Sequence, residues 1–439
     1  GESVAIIAPN GQDGVTAFYG AAYGGFRATM INLAAGRDAI SYALEHSEAR
    51  FAYVAYTCRE VFDAANTSAV AALPMPGVTG EADAQLHDLT PGDHALLMYT
   101  SGTTGRPKGV VHTHSSLLAG GWTTAIAHKL APDDRGFCVL PIYHINGLCV
   151  TVMGSLVSGG SLAMVSKFSA SRFWDQIETG TATWFSAVPT IISHLLHGTA
   201  DPSDACKGRL RFGRSASSAL AVETQSAFER RFSVPIIETM GLTETAAQIL
   251  SNPLPPATRK IGSPGIGFGC EIAIQDTQGH EVAPGVEGEI VVRGPNTLLE
   301  YLKNPAATSD AFRNGWLRTG DLARMDDEGY VFVTGRLKEL IIKGGENIAP
   351  REIDEALYSH PDVVEAAAFA RHCDSYGERV EAAVRLRDGS SIGADRLIEL
   401  CHERLGAFKS PDAIYFMKEL PKGPSGKIQR LKLASLVQT

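Results

Sequence analysis

The chain opens with an apolar run, Val4 to Ile7, stopped by the turn residues Pro9-Asn10-Gly11. Apolar positions then recur at helical spacing from Val15 to Tyr23, and a second apolar run returns at Met30 and Ile31. Strand, helix, strand is the unit of a parallel sheet, because parallel neighbours need a crossover long enough to hold a helix. The alternation repeats at Phe137 to Leu140, Leu162 to Val165, Thr183 to Ala187 and Pro235 to Glu238, each read as a strand followed by a helical segment. From about Gly262 the texture changes to short alternating runs between Gly, Pro, Asn and Asp turns: Glu271 to Gln275, Gly288 to Arg293, Tyr330 to Thr334. That pattern predicts antiparallel β structure. Beyond Gly335 the order becomes strand, Gly-Gly turn, a helix from about Pro350 to Tyr358, strand, helix and a closing loop. The predicted class is α/β: a large multi-layer α/β N-terminal domain over 1–335 with a β-rich subdomain, then a small α+β C-terminal domain over 336–439. The boundary is placed at Gly335 to Lys338.

Composition narrows the function classes. At roughly 150 residues per domain, 439 residues suit two or three domains. Hydrophobic residues at 44% and charged residues at 20% exclude a disordered, collagen-like or coiled-coil chain. Lys plus Arg is 39 and Asp plus Glu is 48, a net charge of −9, which argues against a nucleic-acid partner while allowing one local basic site for a phosphate. The seven cysteines are scattered, without CxxC spacing, so a reducing, cytoplasmic setting without structural zinc is expected. Apolar stretches fall well short of the ~20 residues of a membrane span. Gly1 is not an initiator methionine, so a preceding stretch is expected.

Four segments carry candidate chemistry. In Tyr99-Thr100-Ser101-Gly102-Thr103-Thr104-Gly105-Arg106-Pro107-Lys108-Gly109, three glycines, four aliphatic hydroxyls and two cations follow the apolar strand Ala95 to Met98. Glycines let backbone N–H groups face an anion, hydroxyls donate, and Lys108 adds charge, which together make a phosphate cradle that is not a Walker loop. A solvated loop is the alternative, but it explains neither the strand nor Lys108. In Met240-Gly241-Leu242-Thr243-Glu244-Thr245, one carboxylate between hydroxyls at a strand-to-helix turn suits Mg²⁺ on a polyphosphate, and a simple helix N-cap over Thr243 to Ala246 stays open. Asp321, read as a turn residue, and Arg336 suit a ribose diol, or are an ordinary turn Asp and a surface Arg. Lys427, in Pro421-Lys422-Gly423-Pro424-Ser425-Gly426-Lys427, is either a mobile cation for a transferring phosphoryl group or part of a solvated basic tail.

In this order and spacing the segments closely resemble the adenylate-forming superfamily of acyl-CoA synthetases, nonribosomal adenylation domains and firefly luciferase, over essentially the whole chain. The resemblance implies an ATP-dependent acid–CoA ligase. It would adenylate a carboxylic acid with release of pyrophosphate, pass the acyl group to coenzyme A, need Mg²⁺, and work as a monomer or homodimer. It further implies that Ser101, Thr103, Thr104 and Lys108 hold the ATP phosphates, that Thr243 touches the α-phosphate and that Glu244 positions the metal. Ser215, Ala216, Ser217, Met240 and Gly241 are assigned to the nucleotide, Asp321 and Arg336 to the ribose, and Lys427 to the reacting carboxylate and α-phosphate. Lys338 takes the hinge position; after rotation of the small domain, Gly344 and Gly345 leave room for pantetheine. Met240 departs from the family, which commonly has an aromatic residue there to stack on adenine; a thioether replaces part of that contact. Relatives usually carry several tens of residues ahead of the strand matching Val4 to Ile7.

The acid pocket implied by the resemblance receives His144, Asn146, Ser186, Arg214 and Gln248, polar for an alkyl chain. Local runs such as Leu210 to Leu220 resemble most the oxalyl-CoA synthetase branch, so a small acid with a second anionic or polar group is expected, oxalate leading. Two alternatives stay open here: Arg214 as half of a buried structural ion pair, and His144 serving the adenylate or thiolation step. The rival activities are a medium-chain fatty or aromatic acyl-CoA synthetase, an adenylation enzyme delivering to a carrier protein, and a luciferase-like oxygenase. A pocket Asp for an α-ammonium group, typical of amino-acid adenylation, is not found near Trp184 to Pro189. A non-catalytic relative would be expected to lack Lys427 or Glu244, and both are present.

Overall fold

The computed structural model describes residues 2–75, 86–100, 107–423 and 426–437. Two seven-stranded sheets form the body. In the first, strands Ser3–Ile7, Arg27–Met30, Phe51–Ala55, Ala71–Met75 and His94–Thr100 run parallel, with Val4 opposite both Ala28 and Phe51. All five residues of Ser3–Ile7 are buried, the continuous apolar signature of a parallel strand covered on both faces. The return strand Lys108–Thr113 pairs antiparallel with His94–Thr100. In the second sheet Ser161–Met164, Arg135–Cys138, Trp184–Ala187, Phe212–Ser215 and Ile236–Leu242 run parallel. One apolar cluster reaches from Val4, Phe18 and Leu96 of the first sheet's layer to Trp184, Phe212 and Ile237 of the second.

The expected helix after Pro235 to Glu238 does not form. Ile236–Leu242 ends in a single tight turn, Thr243–Thr245, and the chain reverses into Ala247–Ser251, antiparallel to the strand it left. Gly241 makes this possible, since a Cβ there would lie 1.6 Å from the Ala247 carbonyl oxygen. Ala246 and Ala247 both take positive φ, 44° and 84°, a conformation that residues with a Cβ adopt only under constraint.

The antiparallel part contains Glu271–Gln275, Gly288–Arg293, Phe312–Arg313, Trp316–Met325 and Val331–Arg336. Asp321 is inside the strand Trp316–Met325 rather than at a turn; Gly320, at φ 75°, precedes it. The C-terminal part has its own five-stranded sheet and its own core around Ile341, Ile353, Leu357, Val380, Leu397 and Cys401. The Gly-Gly hairpin joins Ile341–Lys343 to Glu346–Ile348, and the helix Pro350–Tyr358 follows as expected. Several elements there escape the sequence pattern: Val363–Cys373 is followed by a second long strand, Gly377–Leu386, and the closing segment holds a short strand, Ala413–Phe416, and ends in a helix, Arg430–Leu436. All seven cysteines are free thiols. Among the described residues no helix is long and apolar enough to cross a membrane.

Candidate active site between the sheets

Ser101, Thr103 and Thr104 lie outside the described residues. Lys108, at the start of the return strand, sets its ammonium 4.4 Å from the centre of the Tyr301 ring. The Tyr301 hydroxyl donates to Glu244 Oε1 at 2.8 Å, so Lys108 and Glu244 flank one aromatic ring. No Lys, Arg or His among the described residues forms an ion pair with Glu244. His112, four residues beyond Lys108, reaches the other side of the same turn: its Nε2 lies 2.6 Å from the Thr243 carbonyl. A carbonyl only accepts, so Nε2 carries the proton, and Nδ1 faces Ser116 Oγ at 3.1 Å. Burial lowers the His112 pKa to about 4, against the pull of that hydrogen bond, so the ring is neutral. Asn296 Nδ2 donates to the Thr245 carbonyl at 2.9 Å and closes the turn. Neither Tyr301, His112 nor Asn296 belongs to a motif singled out by residue type; strand pairing brings Tyr301 and His112 here, and Asn296 comes from the turn after Gly288–Arg293.

Asp321 and Arg336 stand opposite each other in neighbouring antiparallel strands, with Nε 3.0 Å from Oδ1. Lys427 is close enough to sense both. Desolvation lowers its pKa and Arg336 adds to this, while Glu339 and Asp321 oppose it. Asp321 is raised by burial, with Arg336 and Lys427 acting against that. Three residues from distant motifs thus form one charged cluster. Lys338 lies in the turn Leu337–Glu339 directly after Arg336. Gly344 and Gly345, at φ 60° and 85°, belong elsewhere: Gly344 donates its N–H to the Tyr376 carbonyl, inside the C-terminal part.

Four of the five residues assigned to the acid, Asn146, Ser186, Arg214 and Gln248, form a continuous network. Arg214, on the strand Phe212–Ser215, is 1% exposed. Its Nη1 donates to Asn146 Oδ1 at 2.7 Å and to Ser186 Oγ at 3.1 Å, and its Nε to Gln248 Oε1 at 3.3 Å. Ser186 also donates to Asn146 Oδ1, and Asn146 Nδ2 to Ser217 Oγ at 3.2 Å. Ser217 is held at φ 74°. Every one of these partners is neutral, and among the described residues no carboxylate pairs with Arg214; the structural ion pair is not found. Burial lowers the Arg214 pKa to about 9, which leaves the guanidinium charged at neutral pH. His128, buried against the Phe212 ring, is driven far below its ordinary value by burial and by Arg214, so it is neutral and adds no second positive charge. His144 is half-buried and neutral, its pKa lowered by desolvation to about 4, and its Nε2 has no partner among the described residues. Ser215 Oγ is likewise without one, and Ala216 is buried beside it. Met240 packs on the β-rich core.

The AMP-binding enzyme profile matches residues 1–302, and its C-terminal domain profile matches residues 352–427. The chain belongs to the AMP-binding enzyme family. Within it, the chain is 43% identical to a sulfoacetate–CoA ligase of Cupriavidus necator, over 99% of this chain and 87% of that one. An oxalate–CoA ligase of Arabidopsis thaliana is 39% identical over 77% of this chain and 67% of its own. Among solved structures, ATP-bound MatB of Rhodopseudomonas palustris superposes with a TM-score of 0.91 at 29% identity, covering 99% of this chain and 88% of that chain. The same protein without ligand superposes less well, at 0.79. This AMP-binding enzyme is an AMP-forming acid–thiol ligase that uses ATP, Mg²⁺ and coenzyme A.

Proposed function

We propose that this AMP-binding enzyme activates a small acid carrying a second anionic group, with oxalate and sulfoacetate as the leading chemistries. The observation that carries this reading is Arg214, a buried cation with neutral partners only. An uncompensated charge away from water is costly, by several kcal/mol in real proteins. A bound anion would offset that cost, and an alkyl chain would not. The relatives named above support it, since oxalate is a dicarboxylate and sulfoacetate pairs a carboxylate with a sulfonate.

The second anion would sit near Arg214, Asn146, Ser186 and Gln248 and present the reacting carboxylate to the α-phosphate. Ser101, Thr103, Thr104 and Lys108 would hold the phosphates, Thr243 would contact the α-phosphate, and Asp321 and Arg336 would take the ribose, beside Ser215, Ala216, Ser217, Met240 and Gly241. Glu244 fits a Mg²⁺ ligand: it is a single carboxylate with one oxygen oriented by Tyr301 and no competing cation, and magnesium typically takes one or two carboxylates plus phosphate oxygens. When bound, the metal would neutralise phosphate charge. Lys427 would draw the two anions together while the carboxylate oxygen bonds to phosphorus and pyrophosphate leaves. Coenzyme A sulfur would then attack the acyl carbon and release AMP, after 336–439 turns about Lys338 relative to 1–335 and brings Gly344 and Gly345 to the site. His144 would serve one of the two steps as a neutral group. The free thiols support the reducing, cytoplasmic setting.

Pyrophosphate release with coenzyme A present, measured across oxalate, malonate, sulfoacetate, acetate, benzoate and octanoate, tests the assignment. Preference for the first three is expected. Preference for octanoate or benzoate overturns it.

A further inference from the structure

The helix Pro189–Leu196 turns one polar edge toward the C-terminal part. Thr190 Oγ1 donates to the Gly426 carbonyl at 3.3 Å, Ser193 Oγ donates to the Val364 carbonyl at 2.9 Å, and His194 Nε2 lies 3.3 Å from Glu365 Oε1. Positions spaced by three and four residues share a helix face, so these three side chains act as one strip.

What the strip meets is the foundation of the Lys427 loop. The Glu365 side chain is 1% exposed. Its carboxylate is held from within the C-terminal part by Lys422 Nζ at 2.8 Å and Arg385 Nη1 at 3.2 Å, and the Leu420 N–H donates to Oε2 at 3.4 Å. Around them, Glu419 lies 3.2 Å from Lys422, Arg385 Nη1 is 3.1 Å from His194 Nε2, and the Phe168 ring stacks on His194. Burial alone pushes the Glu365 carboxyl up. Hydrogen bonds from His194 and Lys422, with the charges of Lys422 and Arg385, outweigh it and hold the group at about 2. Lys422 is in turn the stem of the loop. It pairs with Ile428, the Gly423 N–H donates to the Lys427 carbonyl at 2.7 Å, and the Gln429 N–H donates to the Pro421 carbonyl at 2.7 Å. Glu365 therefore braces the foot of the loop, and Thr190 holds Gly426, next to Lys427.

We propose that Glu365 and His194 are positioning residues for Lys427, with the Thr190, Ser193 and His194 edge serving as the strip on which the C-terminal part docks for adenylation. This rests on the adenylation role proposed for Lys427. Removing His194 leaves Lys422 and Arg385 on Glu365, so the C-terminal part keeps its internal pairing and the loss falls on docking.

The test uses the full chain and the acid turned over best in the panel above. Pyrophosphate exchange reads the first half-reaction, and thioester formation from the chemically prepared adenylate of that acid reads the second. His194→Ala is expected to slow exchange about tenfold, the scale of one hydrogen bond to a charged group. Thioester formation should stay within about twofold of wild type, and His194→Gln, which keeps a donor, should recover much of the exchange rate. Glu365→Gln should slow exchange further; if it unfolds, Ser193→Ala combined with His194→Ala carries the test. Lys427→Ala runs in parallel. Should it fail to separate the half-reactions, the Lys427 reading itself falls. Should it separate them while His194→Ala lowers both equally, or neither, the positioning inference is overturned.

Discussion

Arg214→Met offers the sharpest separation of a functional from a structural cation. In the acid complex the guanidinium would make one or two charge-assisted hydrogen bonds to the second anion, each worth about 1.5–3 kcal/mol. Losing them should lower kcat/KM for oxalate or sulfoacetate by roughly tenfold, for one bond at the low end, to roughly ten-thousandfold, for two at the high end, at about 1.4 kcal/mol per factor of ten. Stability should respond differently. Asn146 Oδ1 keeps its bond from Ser186, so the side chain that loses its donor is Gln248, at a cost of about 1–3 kcal/mol for a buried acceptor. Against this, an unpaired buried charge is removed, which returns several kcal/mol. The variant should therefore unfold in urea at the wild-type midpoint or above it. Acetate, with no second charge, should lose far less kcat/KM than sulfoacetate. A variant destabilised by more than about 2 kcal/mol, with the sulfoacetate-to-acetate ratio unchanged, would refute the reasoning and make Arg214 a structural residue.

Other consequences follow from single groups. Gly345→Phe, at φ 85°, should block thioester formation by at least about tenfold while sparing pyrophosphate exchange, since the proposed pantetheine passage allows no side chain. His112→Leu removes the donor to the Thr243 carbonyl and should raise KM for ATP about tenfold, whereas His112→Gln, whose amide reaches as Nε2 does, should recover most of it. Burial raises Glu238 to about 7, with one oxygen lacking a partner among the described residues. A carboxyl raised on folding contributes stability below its unfolded pKa, near 4.5, and loses it as pH rises through 7. Glu238→Gln should match wild type near pH 4 and exceed it by roughly 3 kcal/mol near pH 8 in urea unfolding, at about 1.36 kcal/mol per pKa unit.

Residue types that do unusual chemistry were legible along the chain, and their partners were not. Arg214 stands out in a polar run after an apolar one, yet whether a carboxylate faces it depends on which strands neighbour Phe212–Ser215, and those come from Trp184–Ala187 and Ile236–Leu242. Thr243 and Glu244 were found by type, but their turn was expected to open a helix. The reversal depends on Gly241 letting Ala247 pass within contact, a tertiary approach without periodicity. Asp321 was placed at a turn because Gly320 precedes it, whereas the glycine only kinks a ten-residue strand. Tyr301 and His112 are single residues in ordinary strand-forming runs. Tyr301 becomes informative once its two-residue strand pairs with Lys108–Thr113, and no local pattern encodes that pairing.

On the proposed two-position scheme, the contact between the large and C-terminal parts would explain how one site serves two half-reactions. Its hydrogen bonds include those from Thr190, Ser193 and His194 to the Gly426, Val364 and Glu365 groups, from the Val222 N–H to Glu355, and from Arg351 to the Gly262 and Val333 carbonyls. The Thr190 and Ser193 bonds are neutral and contribute about 0.5–1.5 kcal/mol net each, whereas those involving Glu365, Glu355 and Arg351 are charge-assisted, at about 1.5–3 kcal/mol each. Their sum is of the order of several kcal/mol, set against the desolvation that lowers the Lys427 pKa. ATP phosphates and the acid carboxylate would supply the negative charge that favours a buried Lys427. Once pyrophosphate leaves and the reacting carboxylate becomes the neutral carbonyl of a mixed anhydride, much of that charge would be gone, while the cost of burying the ammonium would remain. The balance then shifts toward release of the C-terminal part. On the two-position scheme proposed above, the first half-reaction itself supplies the signal for the second, and a polar strip with few bonds is weak enough to obey it.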